Sequence, residues 1–448
     1  MGPAVGRRAL RILFCVEFYF PSIGGAQEVV RQLAERLATR GHQVSVATSR
    51  VATRHVRNHR GVEIVEFNVR GNRVRGMHGD IDSYRRLLVE GGFELVFFYA
   101  AQQWTFDAAW DVIDDIPARK VLVPCGYSGL FDPTYKRYFE ALPDILRRMD
   151  AVIYHAKDYR DVNFARAQGL ANGELVPNAA AGEEFEVEPD PHFRSRIGAR
   201  EHDFVILTVG TMTGLKGHQE LVQAIGHLEF EDRDRRVFLI LNGNQPERGG
   251  RRPGAVLYLF NLVKEYGPIY AAKHSLRGLL ARCGWHVGRT ASLRDRVQQI
   301  NRHPEKRKRA IMVDLPRAEL IQAYLNADLF VFASNVEYSP LVLFEACAAG
   351  LPFLTVPVGN AAEIVDWTAG GELCAAETDG RGYTRVDPVA LARHVAMLAN
   401  DSARLRKLGQ QGRDASRLRY NWETIVGEYE SIFVRLVEQG RGLAEGVP

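Results

Sequence analysis

The sequence is short of the signals that mark a specialised compartment or a resident cofactor. Its five cysteines (Cys15, Cys125, Cys283, Cys347, Cys374) stand far apart in 448 residues. They form neither a zinc-ligand spacing nor a paired framework, which excludes a disulfide scaffold and fits a reducing cytoplasm. No apolar run approaches the ~20 residues that span a bilayer. Arg7, Arg8 and Arg11 precede the first apolar strand directly, so a secretory apolar core is not expected. Net charge is only +4, which does not argue for nucleic acid but suits phosphorylated ligands or an anionic membrane surface. The G-x-G-x-x-G fingerprint and the P-loop spacing are both missing, and no internal repeat is visible.

What is present is the composition of a globular protein, 46% hydrophobic and 25% charged, at a length that suggests two domains of about 200 residues each. Ile12 to Val16 reads as a buried parallel strand, followed by Gly24-Gly25 and a helix with Val29, Val30, Leu33 and Leu37 on one face. The strand Val44 to Thr48 completes a βαβ unit whose glycine pair lets a ligand approach the backbone. Further strands are expected at Val62 to Phe67, Leu95 to Tyr99, Lys120 to Val123 and Ala151 to Tyr154, as a layered α/β domain requires. Ligands bind such sheets at strand carboxyl ends, which makes Gln103, Trp104, Cys125 and Tyr127 candidates for the acceptor side of a site. Gly182 to Asp203, charged and proline-bearing, reads as a linker.

A second α/β set starts with Phe204 to Gly210 and continues through Thr211 to Lys216-Gly217-His218 into a helix. A lysine among glycines at a strand-to-helix turn suits phosphate. Between Gln245 and Arg309 the alternation is interrupted by a block with fifteen Lys/Arg against four Asp/Glu. Such a block suits either a solvated insertion or an anionic surface. The sheet resumes at Ala310 to Asp314, and amphipathic helices are expected around Val389 to Leu398 and Trp422 to Leu436.

The most informative stretch runs from Asp328 to Gly350. An apolar strand, Leu329 to Ala333, leads to Glu337 and then to a helix for which Ser339 is the expected cap and Pro340 the expected first residue. Gly350 can end it. A helix N-terminus after a buried strand favours an anion such as a phosphate, and the flanking Glu337 and Glu345 are acceptors for hydroxyl hydrogens. Phosphate and hydroxyls together describe a nucleotide sugar.

Glu337-Tyr-Ser-Pro-Leu-Val-Leu-Phe-Glu345, an E-x7-E motif, followed by Ala-Cys-Ala-Ala-Gly-Leu-Pro, resembles the retaining GT-B glycosyltransferases of family 4. Gly24-Gly25, Lys216-Gly217, Val176-Pro-Asn178 and Tyr420-Asn-Trp422-Glu support the resemblance. It implies two Rossmann-like doubly wound domains facing each other across a cleft. An acceptor domain would span about 1–185, completed by a last helix at about 422–440 that crosses back to it. A donor domain would span 203–418, with the basic insertion at about 245–309. It also implies catalytic roles for Glu337, on sugar hydroxyls, and Lys216, on the diphosphate. Glu345 would take the ribose, and Gly24, Gly25, Gly210, Thr211, Ser339, Pro340, Leu341 and Val342 would complete donor binding. No metal or cofactor is implied, and no D-x-D stands at a strand end, since Asp232-Arg-Asp234 precedes its strand.

The partners implied are a UDP- or GDP-hexose and a glycan or lipid-linked acceptor, in bacterial polysaccharide or glycoconjugate synthesis. The setting would be cytoplasmic, with peripheral contact at the inner membrane face through the basic block. Two positions depart from the family: Thr211 stands where many relatives have arginine, and Cys125 where many have histidine. They motivate the alternative of a catalytically weak nucleotide- or glycan-binding relative. A nucleotide-sugar epimerase or phosphorylase on the same fold is a further alternative.

Overall fold

This computed structural model describes residues 8–445 except 171–172, 231–234, 244–291, 304, 306 and 381. Most of the basic block, together with Cys283 and Asp232-Arg-Asp234, therefore lies outside the described residues. Two compact units divide the chain: Met1–Glu188 with Val336–Arg385 and Arg406–Pro448, and Pro189–Asn335 with Val386–Leu405.

The first unit is built on a sheet of β1 (Arg11–Cys15), β2 (Gln43–Ser49), β3 (Asn58–His59), β4 (Val62–Phe67), β7 (Leu95–Tyr99), β8 (Arg119–Val123), β9 (Ala151–Tyr154) and β10 (Gly173–Leu175). A separate antiparallel hairpin joins β5 (Val69–Asn72) and β6 (Gly76–Gly79). The sheet order is β10-β9-β8-β7-β1-β2-β4-β3, parallel except for β3. Both faces are covered, so Phe14, Phe97, Phe98 and Val121 are fully buried. That is why residues 12–15, 95–99 and 121–123 read as unbroken apolar runs rather than alternating ones.

Helix α1 (Gly25–Thr39) buries Val29, Val30, Leu33 and Leu37, the face its sequence presents. The last helix, Trp422–Glu445, shares that core through Trp422, Ile425, Val426, Tyr429 and Phe433. Phe433 stands 5.6 Å from Phe97, centroid to centroid, and Arg40 clamps the helix through Glu430 at 2.7 Å. Chain order reverses between β1 and β7, a switch point that opens a crevice at their carboxyl ends. This unit also holds the parallel pair β15 (Phe353–Thr355) and β16 (Gly371–Leu373).

The second unit carries β11 (Phe204–Val209), β12 (Val237–Asn242), β13 (Lys308–Val313) and β14 (Leu329–Phe332), ordered β13-β12-β11-β14 and all parallel. Its switch point lies between β11 and β14. Lys308 and Arg309, expected in the basic block, already belong to β13, and helix Leu293–Asn301 starts on a capping box of Ser292 and Asp295. The expected linker is partly structured. It holds a short turn at Gly182–Phe185 and a helix at Phe193–Arg196, and Phe193 is buried. Helix Ser402–Leu418 was not expected, because its buried positions are Gly409, Gly412 and Ser416 rather than large apolar residues. Among the described residues no helix is long and apolar enough to cross a membrane.

Candidate functional site

In the second unit the switch point is closed by two loops. Asn335 N donates to the Leu215 carbonyl at 2.9 Å, and Ser334 Oγ to the same oxygen at 3.2 Å. Gly217, with φ 70°, lies so close to the Ala333 carbonyl that a Cβ would fall 1.8 Å from its oxygen. The Lys216-Gly217 turn is thereby fixed at the end of β11, and the Lys216 side chain packs over Gly210. Lys216 is half-buried and Thr211 exposed. His218 opens helix His218–His227, where burial, with a lesser effect of Lys216, pushes its imidazole down to about 4.

In the first unit the loops after β1 and β7 meet where Glu17 N donates to Gln103 Oε1 at 3.2 Å. Gly24 precedes α1, and Gly25 faces open space, with nothing within 4 Å of where a Cβ would stand. Beside Gly24 is a cavity of about 280 Å³ lined by Phe20, Gln27, Glu28, Arg31 and His59, among others. Phe20 and His59 stack at 3.7 Å, and Arg31 forks onto Glu28 at 2.7 and 2.9 Å. Sequence reasoning missed this cavity because His59 sits in a two-residue strand without a readable pattern.

The E-x7-E turn lies in the same unit. Its helix is Leu341–Ala349, ended by Gly350 in the left-handed region as expected. Pro340 is the residue before the helix rather than its first, and Ser339 does not cap it: the Ser339 hydroxyl is buried without a hydrogen-bond partner. The proline ring keeps Ser339 out of helical geometry and places its hydroxyl one residue too far back to reach the first-turn amides. Glu345 interrupts an otherwise apolar helix and is half-buried, as is Glu337.

Every carbonyl of the turn takes a donor. Tyr159 Oη donates to Glu337 O at 2.6 Å, Asn360 N to Tyr338 O at 2.8 Å, and Asn178 Nδ2 to Ser339 O at 3.2 Å. The Tyr338 hydroxyl accepts from His155 N at 2.9 Å and donates to the Asp161 carboxylate. Asp161 also accepts from Gly126 N and Val162 N, each at 3.0 Å. Burial lifts its carboxyl to about 6 against these donors. His155 donates through Nδ1 to the Val176 carbonyl at 2.8 Å, which leaves Nε2 to accept from Tyr99 Oη at 3.2 Å. Burial holds this imidazole down at about 4, neutral.

The acceptor-side candidates divide. Gln103 stays at the crevice. Trp104 is fully buried, donates to Ser49 Oγ at 2.8 Å and packs on Tyr84 and Phe67, so it cannot stack on a sugar. Tyr127 is likewise core, between Phe139 and Phe164. An aromatic after a strand end looks the same in sequence whether it turns inward or outward. Cys125 is half-buried and hydrogen-bonded with Tyr99, and burial raises its thiol. Cys125, Gly126 and Tyr127 have φ of 59°, 79° and 48°, a run of three left-handed residues. Among the described residues no cluster of three or more His, Cys, Asp or Glu could hold a metal ion.

Two family models match the chain: Glycosyltransferase Family 4 over residues 23–178, and Glycosyl transferases group 1 over residues 291–415. The chain carries both of these glycosyltransferase domains. The chain is 28% identical over 246 residues to a D-inositol 3-phosphate glycosyltransferase of Xylanimonas cellulosilytica, a match covering 55% of the chain and 46% of that relative. The match thus spans less than half of the relative's length. Among solved structures it resembles sucrose-phosphate synthase of Thermosynechococcus elongatus, with TM-score 0.67 and 17% identity over 96% of this chain and 99% of that one. It also resembles HepE of Anabaena in complex with UDP, with TM-score 0.63 and 15% identity over 95% and 100%. These likenesses show the GT-B fold.

Proposed function

We propose that the protein is a retaining, metal-independent transferase that moves a hexose from a UDP- or GDP-sugar to a glycan or lipid-linked acceptor. The observation that carries this reading is the E-x7-E pair. Glu337 sits on a turn whose carbonyls are all bonded, and Glu345 lies within the first turns of the helix that follows, inside the segment matched by the group 1 model. In this reading Glu345 accepts from ribose hydroxyls and Glu337 from hydroxyls of the transferred sugar. Lys216 offsets the charge that develops on the leaving diphosphate, as fixed cations and donors do in such sites.

Breaking the bond from the anomeric carbon to phosphate oxygen while the acceptor oxygen bonds on the same face retains configuration. The departing phosphate takes the acceptor's proton. The cavity beside Gly24, with an aromatic pair and hydrogen-bonding side chains around Arg31, is the acceptor candidate. UDP in complex with a protein of the same fold favours a uridine donor.

The test is a panel of UDP- and GDP-sugars in buffer with chelator. Transfer to a glycan or lipid-linked acceptor is expected, and binding of none of the nucleotides would refute the reading. Glu345→Ala should weaken UDP or GDP affinity roughly tenfold or more, the scale of a lost charge-assisted hydrogen bond. Glu337→Ala should lower turnover more than nucleotide affinity. Equal losses for both variants would remove the division of roles.

A further inference from the structure

The E-x7-E turn and the left-handed turn at Cys125 are tied to one buried carboxylate. Gly126 N–H donates to Asp161 Oδ2 at 3.0 Å, and the Tyr338 hydroxyl, next in sequence to Glu337, donates to the same carboxylate. The connection closes on its other side. The Cys125 thiol bonds with the Tyr99 hydroxyl, Tyr99 donates to His155 Nε2, and His155 N–H donates to Tyr338. The result is a ring of polar contacts, Cys125–Tyr99–His155–Tyr338–Asp161–Gly126, in a low-dielectric setting that strengthens each hydrogen bond. Gly126 completes the fit, since a Cβ there would stand 2.7 Å from the Tyr159 ring and 2.9 Å from the Tyr338 ring.

Groups facing Asp161 from the packed elements are the phenols of Tyr127, Tyr154, Tyr159 and Tyr338 and the Cys125 thiol. Burial raises the pKa of every one, so all are neutral hydrogen-bonding groups. Such a ring adds little to an apolar core by itself, because a buried carboxyl costs desolvation. What it does specify is one geometry.

We propose that Asp161 and Tyr338 are positioning residues, which set the Glu337 backbone relative to the Cys125 turn through their shared hydrogen bond. This rests on the role of Glu337 proposed above. Tyr338 reaches no substrate in this account; it acts through the turn, where a displacement of about 1 Å is enough to cost on the order of a hundredfold in rate.

The experiment uses the full chain with Tyr338→Phe, which keeps the ring and removes only the hydroxyl, and Asp161→Asn as a second variant of the same volume. Amide hydrogen exchange is read on the peptide covering 336–345, alongside kcat, donor KM and titrations with UDP and GDP. In both variants the peptide should lose protection while β1 and β7 keep theirs. Nucleotide affinity should stay within about twofold, and kcat should fall roughly ten- to a hundredfold. Unchanged exchange at 336–345 overturns the inference, as does lost protection with unchanged kcat. So does a parallel loss of nucleotide affinity and protection throughout the unit, which would mean a general structural role. Failure of the wild-type protein to turn over any donor refutes the transferase reading instead, and the exchange arm still decides whether the ring holds the turn.

Discussion

Two glycines of similar appearance in the sequence do different work. Gly217 takes a left-handed φ with the Ala333 carbonyl against its Cα, whereas Gly25 starts α1 with empty space above it. Gly217→Ala should therefore destabilise the second unit by about 3 kcal/mol or more, through strain and a forced shift of β14's end. Gly25→Ala should leave stability unchanged or raise it by about 0.5–1 kcal/mol, yet impair sugar transfer if a diphosphate approaches that backbone. Thermal melts beside the transfer assay check both, and equal Tm losses would contradict the contrast. The glycine pairs were legible in the sequence as loop glycines, but which of them a side chain could replace was not. The carbonyl that forbids it at Gly217 belongs to Ala333, just past β14 and more than a hundred residues away. Asp161 was invisible for the same reason: nothing near it in the chain announces that Tyr338 will reach it.

At the scale of elements, burial on both faces made the strands readable, because the buried stretches of β1, β7, β8 and β11 are nearly continuous apolar runs. Where packing uses small residues, as in helix Ser402–Leu418, or where strands are two to four residues long, as in β3, β5 and β6, no apolar period exists to be read. The motif helix shows a finer limit. Its C-terminal glycine behaved as expected, while its N-terminal serine did not, since a shift of one residue decides whether a hydroxyl meets an amide. The last helix is the element with the clearest energetic consequence. Phe433 is fully buried among Phe14, Phe97 and Tyr429, so Phe433→Ala should cost about 3–5 kcal/mol. Denaturant unfolding followed in the first unit would measure it, and a loss under 1 kcal/mol would show that the helix is not integral to that core.

For the molecule as a whole, buried titratable groups pull stability in opposite directions with pH. His155 and His218 fall from 6.5 to about 4. The unfolded chain therefore takes up protons below 6.5 that the folded chain refuses, and the stability these groups carry above 6.5 is lost as pH falls toward 4. Asp107 and Asp161 rise from 3.8 to about 6, so their contribution is full below 3.8 and lost as pH rises through 6. Replacing one histidine exposes its share. His218→Leu should shrink the fall in stability between pH 7 and 5 by about 2 kcal/mol. An unchanged difference in Tm between the two pH values would mean that His218 is not held neutral.

The last helix also has a consequence for synthesis on the ribosome. Strands β1 and β7 are made hundreds of residues before the helix that covers them, so the aromatic face under Tyr429 and Phe433 stays open until Trp422–Glu445 has left the exit tunnel. Long-range closure of this kind slows folding and leaves apolar surface exposed meanwhile. A nascent chain stalled before Trp422 is consequently a client for chaperones and proteases, however complete its second unit may already be.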